Sequence, residues 1–135
     1  MTRGEIWLVL DPTIGSGIRK TRPCVVVSPA EMHDHLRTVI VAPLTTKSRA
    51  APFRIGVTHG GHRGLILLDQ MRAVDKAGLA LRLGAVPAKT LTSSLRTLQE
   101  VFAEQTAGIG SRGLLTFTRP VSLACNHDQR EPWPR

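Results

Sequence analysis

Apolar residues in this chain come in runs of about four or five, and proline, glycine or polar residues close each run. That pattern predicts several short strands and excludes a membrane-spanning helix, which needs about 20 apolar residues. Glu5–Leu10 reads as a strand, and Asp11-Pro12-Thr13 as the turn that ends it. Pro23–Ser28 is a second strand stopped by Pro29, and Arg37–Ala42 is a third closed by Pro43. Pro52–Val57 alternates apolar and polar positions as a half-buried strand does, and Gly60-Gly61 makes a turn. Gly64–Leu68 follows as a strand that continues through Gln70–Val74, and Leu79–Ala85 adds a short one. The period then changes. Leu91, Leu95, Leu98 and Phe102 recur at helical spacing, which predicts one amphipathic helix from about Pro87 to Glu104. The fold class expected is mainly β with a C-terminal helix, a small curled sheet or barrel on which the helix packs. Residues 105–135 keep no period beyond Leu114-Leu115, so the domain is placed at 1–104, followed by a poorly ordered tail in which Phe117 and Trp133 are the docking candidates.

The chain of 135 residues suffices for one domain with a modest core. It carries 18 Lys and Arg against 10 Asp and Glu, a net charge of +8, which favours a phosphate-rich partner. The tail holds four cations and two acids, so +6 belongs to residues 1–104. The charge is densest at Gly15–Pro23, a glycine-bearing loop with Arg19, Lys20 and Arg22 that runs into the apolar Cys24-Val25-Val26-Val27. Pro23 biases Arg22 toward an extended backbone, so that cation is delivered from a restricted position.

Other chemistries find little support. Cys24 lies in an apolar strand pattern and Cys125 in the polar tail, which makes neither a zinc spacing nor a disulfide framework; Cys24 reads as a small buried residue. His59-Gly60-Gly61-His62 has a metal-like spacing, and His33 and His35 flank an acid, so a paired-histidine nuclease is an alternative. No acid or cysteine joins His59 and His62 at zinc-ligand spacing, and no metal or other cofactor is expected. There is no Ser or Cys nucleophile motif and no phosphate-loop signature. Met1–Glu5 leads into no hydrophobic signal region, so the expected location is cytoplasmic and off the membrane.

Five motifs occur in order: Arg3-Gly4-Glu5-Ile6-Trp7, Asp11-Pro12-Thr13-x-Gly15-Ser16, Thr21-Arg22-Pro23-Cys24-Val25-Val26-Val27-Ser28, Val41-Ala42-Pro43-Leu44-Thr45-Thr46-Lys47, and Leu67-Leu68-Asp69-Gln70-Met71-Arg72. Together they resemble the MazF/PemK-type toxins of type II toxin–antitoxin pairs over roughly residues 3–102. The resemblance implies a PemK-like, SH3-like small barrel, usually a homodimer. It implies a metal-independent endoribonuclease that cuts single-stranded RNA, mRNA included, at short sequences and so inhibits translation and growth. It also implies a labile cognate antitoxin that covers the RNA groove; a small acidic protein suits a basic groove. On the family pattern, Arg22 and Thr45 are the catalytic pair.

Those two residues suit the chemistry. Attack by the RNA 2′-hydroxyl needs a base, a cation on the crowded phosphorane and an acid for the leaving 5′-oxygen. Arg22 can grip two phosphate oxygens in a fork, and Thr45 can donate a hydroxyl hydrogen bond. Arg19 and Lys20 are candidates to clamp flanking phosphates, and as solvated loop charges they would do nothing specific. Ser16 either contacts RNA or closes its turn. Gln70 and Arg72 are candidates to read extruded base edges, or are plain polar strand residues. Thr46 and Lys47, beside Thr45, complete the RNA-binding set. Asp69 is expected in an internal salt bridge or turn contact. One departure from the family pattern stands out: many members carry Glu after the Gly-Ser step, where this chain has Gly17, and no acid lies between Asp11 and Arg22. The alternatives are a toxin of the same fold that binds protein, poisoning gyrase, which would tolerate loss of Arg22, and a non-catalytic RNA-binding module.

Overall fold

The computed structural model describes residues 1–11 and 20–104; the expected tail, 105–135, lies outside the described residues. Seven strands and two helices follow one another as β1 (Glu5–Asp11), β2 (Lys20–Val26), α1 (Ala30–His35), β3 (Thr38–Thr45), β4 (Arg54–His59), β5 (His62–Leu67), β6 (Arg72–Asp75), β7 (Leu79–Ala85) and α2 (Ala88–Val101). The strands form one curled antiparallel sheet in the order β4-β5-β3-β2-β1-β7, with β6 also on β3. The two ends of that order meet at His59 and Gly84. A Cβ on Gly84 would lie 2.9 Å from the His59 ring, so a larger residue there would displace the ring that β4 lays against β7. The result is a half-barrel with a C-terminal helix, as expected.

Strands β1, β2 and β3 are buried on both faces, which explains their nearly unbroken apolar runs. Ile6, Val25, Ala42 and Leu44 face one cluster, with Ile55, Val57, Ile66 and Leu68 from the rest of the sheet. Leu91 and Leu98 of α2 pack on that cluster, each worth about 1.5–3 kcal/mol when fully buried. Val9, Cys24, Val26, Val39 and Val41 face a second cluster on the other side, flanked by Trp7, Val74 and Leu79. The polar start of β1 is anchored by Glu5, which accepts from Trp7 Nε1 at 2.9 Å and Thr2 Oγ1 at 3.0 Å and faces Arg82 at 3.3 Å. Burial pushes the Glu5 carboxyl up, but those partners outweigh it and its pKa ends below the usual value.

Several element boundaries differ from the sequence expectation. β2 begins at Lys20 rather than Pro23 and ends at Val26, so the last part of the basic segment is strand. β3 runs through Pro43 to Thr45 instead of stopping before it. Ile40 turns its N–H and C=O toward β2 and Ser28, so Pro43, three residues on, turns its missing N–H to the opposite edge. There it falls between the last pair with β6, Val41–Arg72, and the first with β5, Leu44–Ile66, where no ladder bond is lost. The continuous strand expected over 64–74 is interrupted at Leu68–Gln70 by a turn of 3-10 helix. Both halves still pair with the same edge of β3. Val41 lies three residues before Leu44, but Arg72 lies six after Ile66, so three residues are looped out while Leu68 is buried. The fourth strand is shifted, from 52–57 to Arg54–His59.

β4 and β5 are joined by Gly60-Gly61, with φ of 59° and 80°, the two positive values that a type I′ hairpin requires. Helix α1 was not anticipated. Six residues do not hold a helix alone. Here His33 is buried, its Nε2 shares a 2.7 Å hydrogen bond with Ser28 Oγ, and Lys76 Nζ donates to its carbonyl. Helix α2 starts at Ala88 after Pro87 and ends at Val101, three residues short of the expected end.

Arg54 joins the segment after β3 to the 3-10 turn. It meets Asp69 in a two-pronged ion pair (3.1 and 3.3 Å), donates to Ser48 Oγ at 2.6 Å and Arg49 O at 2.9 Å, and lies over the Phe53 ring. Replacing Arg54 by Ala should lower unfolding stability by about 1–3 kcal/mol in urea titrations, the range for lost charged hydrogen bonds. Cys24 is 1% exposed, and burial pushes its thiol up to about 11, against the smaller opposing pull of Arg72 and Arg22. At pH 8 its alkylation should follow unfolding rather than precede it, whereas a thiol of ordinary pKa on the surface reacts at once. Peptide mapping separates Cys24 from Cys125 in that measurement.

Candidate active site

The second cluster has a polar continuation, and strand alternation dictates which residues form it. On β1, Asp11 shares a face with Trp7 and Val9; on β2, Lys20 and Arg22 share one with Cys24 and Val26. On β3, Thr45 follows Val39 and Val41, and on β6 Arg72 sits opposite Val41. β1 and β2 pair Val9 with Arg22 and Asp11 with Lys20, so those four side chains form one patch. β2 and β3 pair through Cys24–Pro43, and the same register carried two residues further sets Arg22 across from Thr45.

The β2–β3 pairing stops short of that point. Val27 directs its N–H to Ile40 of β3, so by alternation Val25 and Pro23 face β3 as well. Proline has no N–H to give, and the β2–β3 ladder ends at Cys24–Pro43. Arg22 and Thr45 therefore lie just beyond the last β2–β3 pair, on the face of the second cluster. Thr45 Oγ1 accepts from the backbone N–H of Lys47 at 3.2 Å. A hydroxyl has one proton and two lone pairs, so this bond fixes the oxygen and leaves the proton for an incoming acceptor.

Arg22 is 56% exposed in its side chain and Arg72 42%, while Asp11 between them is 17% exposed. Arg72 Nη1 donates to Asp11 Oδ1 at 3.2 Å, and Arg22 Nε lies 3.8 Å from Asp11 Oδ2. Leu10, Asp11, Arg72, Ala73, Val74, Asp75 and Gly78 line an adjoining cleft of about 480 Å³.

Of the residues picked from sequence, Lys20, Arg22, Thr45 and Arg72 come together on this face. Thr46 and Lys47 lie just past the end of β3, with Lys47 exposed. Gln70 is exposed but belongs to the 3-10 turn rather than to a strand. Ser16, Gly17 and Arg19 lie outside the described residues. Asp69 makes the expected internal salt bridge, with Arg54. His59 and His62 pair across the hairpin turn, and the His59 ring meets Gly84 of β7. No cluster of three or more metal-ligating side chains occurs among the described residues. Sequence reasoning missed Asp11, which was assigned to a turn. Its spacing from Trp7 and Val9, one residue in two, was the available signal.

Comparison with known proteins follows the same outline. The endoribonuclease PemK of Escherichia coli is 38% identical over 108 residues, covering 75% of this chain and 81% of that protein. The endoribonuclease toxin MazF of Escherichia coli K12 is 33% identical over 69 residues, covering 51% and 62%. Among solved structures, MazF from Deinococcus radiodurans superposes with a TM-score of 0.60 at 25% identity, over 74% of this chain and 93% of that one. A MazE–MazF complex from the same organism gives 0.66 at 26% identity, over 78% and 97%. The profile of the PemK-like, MazF-like toxins of type II toxin–antitoxin systems matches residues 2–102, and the chain belongs to that family.

Proposed function

We propose that this protein is an endoribonuclease toxin that cuts single-stranded RNA at short sequences, without a metal ion, and thereby blocks translation. The observation that supports the reading is the basic face formed by Lys20, Arg22 and Arg72 around Asp11, with Thr45 just beyond the last β2–β3 pair. A phosphodiester bound on that face would meet a guanidinium that grips its oxygens and a hydroxyl that donates to them. The 2′-oxygen attacks phosphorus, the bond to the 5′-oxygen breaks, and the products are a cyclic 2′,3′-phosphate and a 5′-hydroxyl. The 2′-proton leaves to a base, and the departing 5′-oxygen gains a proton. Arg22 supplies charge that grows in value as the phosphorane forms, in the manner of an oxyanion hole. A guanidinium keeps its proton to above about pH 12, so its part is cation rather than base.

The relatives named endoribonucleases support this reading, and the neighbour solved as a MazE–MazF complex supports a cognate antitoxin as the second partner. The basic face suits an acidic antitoxin segment as it suits RNA. Exposed Leu81, Val101 and Phe102, the last 69% exposed, offer apolar surface for a homodimer. No helix among the described residues is long and apolar enough to cross a membrane, and a cytoplasmic location fits a translation-blocking nuclease.

Purified protein should cut a single-stranded RNA pool in EDTA and leave 5′-hydroxyl ends. Arg22→Ala should remove cutting by at least about 10³-fold, and Thr45→Ala should slow it about 10²- to 10³-fold, with melting curves unchanged. Dependence on a divalent cation, or full activity of Arg22→Ala, would sink the proposal. Salt-sensitive RNA binding with no cleaved product would leave a binding module in its place.

A further inference from the structure

No acid lies between Asp11 and Arg22 in the sequence, yet one carboxylate stands at the site. Asp11 closes β1, is held in register by its pairing with Lys20, and is the least exposed of the charged groups in contact there. We propose that Asp11 is a positioning residue that yokes Arg22 to Arg72, holding both guanidiniums toward one phosphate; the inference rests on the nuclease reading above.

Two guanidiniums on one face repel each other, and each sits on a long side chain with many rotamers. A carboxylate between them removes the repulsion and selects a pose before RNA arrives. The two contacts are unequal. Arg72 is hydrogen-bonded to Oδ1 at 3.2 Å, which fixes it against the cleft wall. Arg22 stands 3.8 Å away, too far for a hydrogen bond but close enough for electrostatic tethering. The tether reaches Nε, so the Nη edge of Arg22 stays available to grip phosphate oxygens. One arginine is thus a fixed neighbour and the other a held but unspent ligand for the reacting phosphate.

The test compares wild type, Asp11→Asn and Asp11→Glu in steady-state cleavage of a short single-stranded RNA. Asp11→Asn should lower kcat about 10- to 100-fold, the scale of a slight misplacement. KM for RNA should hold or fall, because an anion has left a basic face. The pH–rate profile should keep its shape, and Asp11→Glu should recover most of kcat. Full kcat in Asp11→Asn overturns the proposal, as does loss of the acidic limb of the profile, which would make Asp11 a base. A second readout does not depend on cutting. The arginine Nε–Hε signals of Arg22 and Arg72 should be distinct in wild type and move to the exposed-arginine average in Asp11→Asn; unchanged signals overturn the yoke. Wild type that shows these signals but cuts no RNA overturns the nuclease reading instead. Should Asp11→Asn not fold, Asp11→Ser makes the same comparison, and failure of both to fold overturns the proposal by making Asp11 structural.

Discussion

Val25 and Val26 are neighbours in sequence and point into different apolar clusters. The same holds for Val41 and Ala42 on the next strand. Register is strongly specified wherever a strand face is buried, because a one-residue slip moves every side chain to the opposite face. A one-residue slip of β2 would exchange the two clusters and turn Arg22 away from the face that Asp11, Thr45 and Arg72 share. Two-sided burial is therefore what places the chemistry. The residues that form the candidate site are the polar ends of strands whose register is decided by valines several residues away.

Much of this was legible in the chain. Period-two segments and turn residues located most strands, Leu79–Ala85 to the residue, and the helical spacing of Leu91, Leu95 and Leu98 marked α2. Arg22 and Thr45 stand out from motifs, and they lie on β2 and at the end of β3, just beyond the last pair of those strands. What stayed hidden depends on which edge of a strand a backbone group faces. Pro43 reads locally as a stop, yet its absent N–H falls where β3 changes partner, so the strand continues. Leu68–Gln70 reads as strand because Leu68 is apolar, but three looped-out residues satisfy the same burial. Helix α1 has no periodicity to show in six residues, and it exists through contacts to Ser28 and Lys76 that are distant in kind from helix propensity. Asp11 was missed for a related reason. An aspartate before proline is strong turn chemistry, and only the pairing of β1 with β2 and β6 with β3 reveals that it faces two arginines.

The charge balance takes on a spatial meaning in the fold. Four of the eight acids among the described residues are engaged locally: Glu5 with Trp7 and Arg82, Asp69 with Arg54, Asp75 with the Ala77 N–H, and Asp11 with Arg72. Lys20, Arg22, Lys47, Arg49 and Arg63 remain exposed. The surplus therefore projects outward as a field that draws in phosphate, while the acids organise the surface that carries it. Arg54 and Arg72 differ in this respect. Arg54 is largely covered and braced by four polar contacts, which suits a structural brace, whereas Arg72 keeps 42% of its side chain exposed and retains donors for a ligand.

Two prolines mark changes in the pairing of β3, and each does so by what it lacks. Pro23 removes the donor that would have extended β2 along β3, and the ladder ends one residue after it in sequence, at Cys24. Pro43 removes a donor from the other edge of β3, at the junction of β5 and β6, so that β3 reaches Thr45 without losing a bond. Proline at 23 does a second thing, because it restricts the backbone of the residue before it, and that residue is Arg22. The end of the β2–β3 pairing, and a cation biased to extended backbone just beyond it, thus both fall at one proline.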